Sequence, residues 1–167
     1  MTATPATLRA AAPHDVPQIV ALIKELAEFE KLSHLVVVTP ESLAPQLFGD
    51  KPAAEAVVAE LGGKVVAFAL FFTNFSTFLG RPGLYLEDLY VQPQHRGSGI
   101  GQALLRHLGA LAVQRGCGRF EWTVLDWNEN AIKLYKHMGA TVMPEWRICR
   151  VTGPALQAFA ACGNGAL

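Results

Sequence analysis

The chain has 167 residues, 51% of them hydrophobic, and its 14 Lys and Arg balance 14 Asp and Glu to a formal net charge of zero. That length suits one domain, residues 1–167, with a sizeable core, and the lack of a basic patch argues against a nucleic-acid partner. No apolar run reaches membrane-spanning length and no charged-then-apolar leader opens the sequence, so no membrane partner is expected and the cytoplasm is the expected location.

Residues 1–6 read as a loose polar lead, and Thr7 to Ala11 as a short edge strand. Asp15 offers an N-cap with Gln18 three residues on, before a helix over Val16 to Leu32 whose apolar face carries Ile19, Leu22, Ile23, Leu26 and Phe29. Glu25 and Glu28 fall on its solvated face. Thr39-Pro40 starts a second helix ending near Gly49. Ala56 to Leu61 and Lys64 to Thr73 read as strands joined by a Gly62-Gly63 hairpin, and Asn74 to Gly83 as an aromatic-rich loop. A strand around Leu84 to Val91 then feeds a helix carrying Leu104, Leu105, Leu108, Leu111 and Ala112, closed by Gly116. Arg119 to Leu125 alternates as another strand, and Glu129 to Met138 is a helix stopped by Gly139. Short strands near Thr141 to Met143 and Trp146 to Val151, a helix over Pro154 to Ala161 and a Gly-rich tail complete the order. The fold class is α/β of the α+β type, one layered domain with a mixed sheet. The three cysteines, Cys117, Cys149 and Cys162, read as reduced thiols, and the five histidines show no ligand spacing, so no metal is implied.

The chemistry concentrates in YLEDLYVQPQHRGSGIGQ, Tyr85 to Gln102. A strand, a Pro93 turn and Arg96-Gly97-Ser98-Gly99-Ile100-Gly101 lead directly into a helix. Such a helix start presents unpaired N–H groups and a positive dipole end, which suit a phosphate, and Arg96 adds charge. A dinucleotide fingerprint fails, because the third glycine would fall on Gln102 or Leu104; a Walker loop fails for want of Gly-Lys-Ser/Thr. What remains, R-G-x-G-I-G after a strand, resembles the acyl-CoA pyrophosphate loop of the GNAT superfamily of N-acetyltransferases. LDWNENAIKLYKHMGA at Leu125 to Ala140, ELAEFEKLS at Glu25 to Ser33 and YLEDLYV at Tyr85 to Val91 make the chain similar to the diamine branch, the spermidine/spermine and thialysine N-acetyltransferases.

The resemblance implies the GNAT fold, with a mostly antiparallel, splayed sheet of six to seven strands flanked by helices. It also implies acetyl-CoA as co-substrate, a primary amine of a small molecule (diamine, polyamine or thialysine-like) as acceptor, and a homodimer. Leu89, Tyr90 and Val91 would offer backbone groups to the pantetheine arm, and Arg96, Gly97, Ser98, Gly99, Ile100, Gly101 and Gln102 would hold the pyrophosphate. Asn128 and Ala131 would touch the cofactor from the other lip, and Tyr135 would be both cofactor contact and general acid. Glu87 matches the family's base and is favoured over Asp88; strand alternation separates the two unless a bulge intervenes. Phe29, Glu30, Glu87, Asp88, Glu145 and Trp146 match substrate positions. Phe29 replaces a Tyr of the polyamine enzymes, and Glu145-Trp146 lacks the glycine of the family's Glu-Gly-Trp turn.

Overall fold

The computed structural model describes residues 6–161, so most of the polar lead, the Gly-rich tail and Cys162 lie outside the described residues. The chain divides after Thr123 into two compact units. The first holds a five-stranded sheet in the order β1 (Thr7–Ala10), β2 (Glu55–Leu61), β3 (Lys64–Ser76), β4 (Arg81–Val91) and β5 (Arg119–Trp122). The first four strands pair antiparallel and β5 joins β4 in parallel. Three helices belong to this unit: α1 (Val16–Phe29), α2 (Pro40–Phe48) and α3 (Ile100–Gln114).

Residues Val65 to Phe71 are buried without interruption, which marks β3 as covered on both faces. On one face Phe68, Leu70 and Tyr90 join Ile19, Val20 and Leu22 of α1 and Leu43 and Leu47 of α2 in one core cluster. α3 packs on β3 and β4 as well, burying Leu104, Leu105 and Leu108. Thr39 caps α2 through Ser42, and Gly62 and Gly63 both take positive φ in the β2–β3 hairpin, as their residue types predict.

Several expected boundaries move. Asp15 holds the N-cap position of α1, as expected, but makes no side-chain capping bond there: its carboxylate takes Arg9 at 2.6 and 2.9 Å and the Ala12 N–H at 2.7 Å, closing a 3-10 turn over Pro13–Asp15. α1 ends at Phe29, not Leu32, because Lys31 adopts φ 60° and its N–H and that of Leu32 fold back on Glu28 and Ala27. The aromatic loop contracts to residues 77–80, for β3 and β4 pair from Ser76↔Arg81 onward. Glycine and proline there had read as loop, yet only the Gly80 region needs to reverse. β5 stops at Trp122 instead of Leu125, its pairing ending at Leu86↔Trp122, one residue before a bulge in β4.

The second unit contains α4 (Glu129–His137) and α5 (Pro154–Ala161). The strands expected near Thr141 to Met143 and Trp146 to Val151 do not form, so the described sheet has five strands and not six or seven. Alternation of Trp146, Ile148 and Arg150 tells which side chains share a face, but a strand also needs a partner edge, and these residues have no ladder. Among the described residues no helix is long and apolar enough to cross a membrane.

Candidate active site

β4 carries the most informative departure from regularity. Leu70 pairs with Asp88 while Phe71 pairs with Leu86, so Glu87 is an extra residue, a β-bulge. Along the regular strand β3, Leu70, Phe72 and Asn74 share one face. Their partners Asp88, Tyr85 and Gly83 therefore share it too, although Asp88 and Tyr85 stand an odd interval apart on β4. Glu87 is exposed and Asp88 half-buried. Burial first, then the neighbouring Glu87 and Glu30, push the Asp88 carboxyl up to about 6. Burial also raises Glu30, at the C-cap of α1. Three carboxylates thus converge where α1 ends over β4.

Beyond Leu86, β4 is paired by β3 alone, so the outward edge of Glu87 to Val91 meets no strand among the described residues. Leu89, Tyr90 and Val91 lie on this edge, with the Tyr90 and Val91 side chains buried. The Val91 carbonyl accepts from Arg96 Nε at 2.9 Å. The Arg96 guanidinium stacks on Phe29, 4.9 Å from the ring centroid, and on Tyr90 at 5.3 Å. Phe29, expected to meet the amine, is therefore an anchor between α1 and the loop as well. Glu25, expected on a solvated face, instead accepts from Gln92 Nε2 at 3.0 Å. Gln92 was missed in the sequence because a glutamine before a proline has no periodic signal; the bond spans 67 residues.

Gly97 and Gly99 take φ 76° and 87°, which L side chains adopt rarely. Ser98 Oγ donates to the His95 carbonyl at 2.6 Å and tightens the turn. The ladder of α3 begins with Ala103 N–H on Gly99 O at 2.9 Å, so the N–H groups of Ile100, Gly101 and Gln102 have no partner within the helix. Gly101 approaches Val91 and Leu89 closely enough that an added Cβ would just touch them, which seats the helix start against the end of β4. A phosphate chain fits these donors, and an acyl-pantetheine arm fits the unpaired edge beside them.

In the second unit Asn128 caps α4, its Oδ1 accepting the Ala131 N–H at 3.3 Å. That N–H is thereby engaged in the cap. Tyr135 is half-buried two turns along the same helix, and its carbonyl takes the Ala140 N–H at 2.9 Å as Gly139 turns the chain with φ 95°. Glu145 and Trp146 lie in an exposed turn, Trp146 N–H reaching Met143 O at 3.5 Å. Among the described residues no group of three or more His, Cys, Asp or Glu is placed to hold a metal ion.

Residues 21–140 match the acetyltransferase (GNAT) family. The chain belongs to that family. It is 40% identical to the thialysine N-epsilon-acetyltransferase of Mus musculus, over 92% of this chain and 96% of the relative. It is 37% identical to the L-ornithine N5-acetyltransferase NATA1 of Arabidopsis thaliana, over 91% of this chain and 86% of the relative. Among solved structures, an integron cassette protein from the mobile metagenome of V. cholerae superposes with a TM-score of 0.79 at 27% identity, covering 94% of this chain and 98% of that one. The GNAT fold and an N-acetyltransferase activity using acetyl-CoA follow from the family.

Proposed function

We propose that the protein transfers an acetyl group from acetyl-CoA to a primary amine of a small molecule, a diamine, polyamine or thialysine-like amino acid, by direct attack within a ternary complex. The observation that carries the amine side is the convergence of Glu30, Glu87 and Asp88 at the β4 bulge, which attracts an ammonium group. Such an ammonium has a pKa near ~10.4, so only about 1 part in 2,500 is neutral at pH 7, a cost of roughly 4.6 kcal/mol that a nearby proton acceptor relieves. Glu87 takes this proton, directly or through one water, and Asp88 and Glu30 hold the cation. A second reading exchanges the two neighbours: the Asp88 carboxyl at about 6 is better matched to accept a proton near neutrality. Acetyl-CoA supplies the activated thioester. Backbone groups of Leu89, Tyr90 and Val91 hold its arm, the N–H groups from Gly97 to Gln102 and the Arg96 charge hold its pyrophosphate, and the family resemblance adds Asn128 and Ala131 as cofactor contacts. Tyr135 gives its phenolic proton to the departing thiolate. Phe29, Glu145 and Trp146 are the remaining amine contacts. A homodimer in the cytoplasm belongs to this reading, supported by the family likeness alone.

The test is acetyl-CoA-dependent thiol release across thialysine, lysine, ornithine, diamines, spermidine, spermine and peptides, against a no-amine blank for the protein's own cysteines. Tyr135→Phe is expected to keep acetyl-CoA binding and lose about 100-fold in kcat. Turnover on peptides alone would move the substrate to proteins, and failure to bind acetyl-CoA would overturn the reading.

A further inference from the structure

Three strands place a second polar group on the face that Asp88 occupies. Asn74 pairs with Gly83 and Gly83 with Arg119; Phe72 pairs with Tyr85 and Tyr85 with Glu121. Two rows of side chains therefore cross β3, β4 and β5 side by side. In the row nearer Asp88 the Phe72 and Tyr85 rings stack at 5.0 Å with a 30° tilt, and Glu121 ends the row. In the next, Gly83 has no side chain, and that absence is required: a Cβ there would collide with Asn74 Oδ1 and stand 3.0 Å from Arg119 Cγ. Asn74 and Arg119 thus converge over the glycine beside Glu121.

The bonding inside this group is incomplete in a particular way. Glu121 Oε1 accepts from Asn74 Nδ2 at 2.9 Å and lies 3.1 Å from Arg119 Nη2, which also reaches Phe75 O at 3.4 Å. The other Glu121 oxygen and Arg119 Nη1 stand outside these bonds, and the two side chains are 39% and 37% exposed. Asn74 Oδ1 and Arg119 Nε are buried and have no hydrogen-bond partner among the described residues. Both atoms are closed off over Gly83, so the groups left open to a ligand are the outer Glu121 oxygen and Arg119 Nη1.

We infer that Glu121 and Arg119, set by Asn74 over Gly83, recognise the α-amino-acid head group of the amine substrate, Glu121 taking the α-ammonium and Arg119 the α-carboxylate. A polyamine brings donors only, and a positive guanidinium opposes it; an α-amino acid brings both kinds of group on one carbon. The reach is right. Three residues of β4 and one strand spacing put the Cα atoms of Asp88 and Glu121 about 11 Å apart, which two acidic side chains and an extended diamino acid span together. The Tyr85 ring, on β4 beside Glu121, lies along the way for the methylene chain, backed by Phe72. This inference rests on the small-amine acetyltransferase reading and narrows it to α,ω-diamino acids.

The experiment measures kcat and KM for wild type, Glu121→Gln and Arg119→Met on matched pairs that differ only in the carboxylate: ornithine against 1,4-diaminobutane, and lysine against 1,5-diaminopentane. Wild type is expected to favour the amino acid of each pair. Both variants are expected to raise KM for the amino acids by about tenfold or more, with kcat within about twofold and the plain diamines unaffected or improved. Equal losses on both members of a pair, unchanged constants for the amino acids, or a wild-type preference for the plain diamines would overturn the subsite while leaving the acetyltransferase in place. Absence of wild-type turnover on every amine would overturn the enzyme reading and the subsite with it. Melting curves of the near-isosteric Glu121→Gln separate a lost contact from a lost fold.

Discussion

Asp88 titrates at about 6, close enough to neutrality that a modest acidification changes the charge of the carboxylate cluster at the β4 bulge. Its folded value lies above the ordinary 3.8, so between these two the folded chain binds the proton more tightly than the unfolded one. The contribution of Asp88 to stability is thus largest at low pH and fades as pH rises through about 6. Asp88→Asn is expected to stabilise the protein by about 1–2 kcal/mol at pH 8 and by much less at pH 4, as denaturant midpoints at the two values will show. In the same wild-type enzyme, kcat/KM is expected to fall below pH 6 as the carboxylate is neutralised, and the variant's profile loses that limb. The residue types of this site were readable from YLEDLYV, but their facing was not. A bulge is a property of two strands in register, and adjacent Glu87 and Asp88 read as opposite until Leu70 and Phe71 are known to be their neighbours.

At the scale of elements, the C-terminus of α1 is held by a left-handed residue that is not glycine. Lys31 at φ 60° completes a Schellman turn, with Leu32 N–H on Ala27 O at 2.8 Å and Lys31 N–H on Glu28 O at 3.0 Å. This turn fixes Glu30 at the helix end, above Asp88. Lys31→Gly relieves the Cβ clash of that conformation and is expected to raise stability by about 1 kcal/mol, read from thermal or denaturant melts, with the amine constants little changed. Helix interiors were legible from periodicity, and Thr39, Gly116 and Gly139 announced their caps by residue type. Lys31 carried no such announcement, so α1 was read three residues too long. Asp15 is the N-cap residue that its place before an apolar run announces, but its carboxylate goes to Arg9, six residues earlier, and not to a helix N–H.

For the molecule as a whole, Arg9 ties the first strand to both its neighbour and the start of α1. Its guanidinium meets buried Asp15 at 2.6 Å and Glu60 of β2 at 2.8 Å, and Arg9 holds the Asp15 carboxyl below its usual range. Removing Arg9 leaves Asp15, only 3% exposed, without its counter-charge. Arg9→Met is expected to cost about 3 kcal/mol at pH 7, measured by urea unfolding. The cost shrinks in acid, because stability from a depressed carboxyl is present above its unfolded value and is lost as pH falls through the folded one. The meander from β2 to β4 was legible because short turns dictate antiparallel neighbours. Ladder ends were not, since β5 stops where β4 bulges and the late apolar alternation found no edge to pair with.

The single parallel pairing has a consequence for how the chain is made. A ribosome releases β1 to β4 before any residue of α3 or β5, so the emerging sheet first shows the Gly83 to Leu86 margin without its strand and Leu84 and Leu86 without their cover. The crossover through residues 92–118 must be complete before Arg119–Trp122 can pair there. Closure of the sheet therefore waits until the crossover and β5 have been made. A nascent chain halted before Gln114 would carry the apolar face of an unfinished α3 beside that open margin, and this length is where a chaperone would have the most to hold.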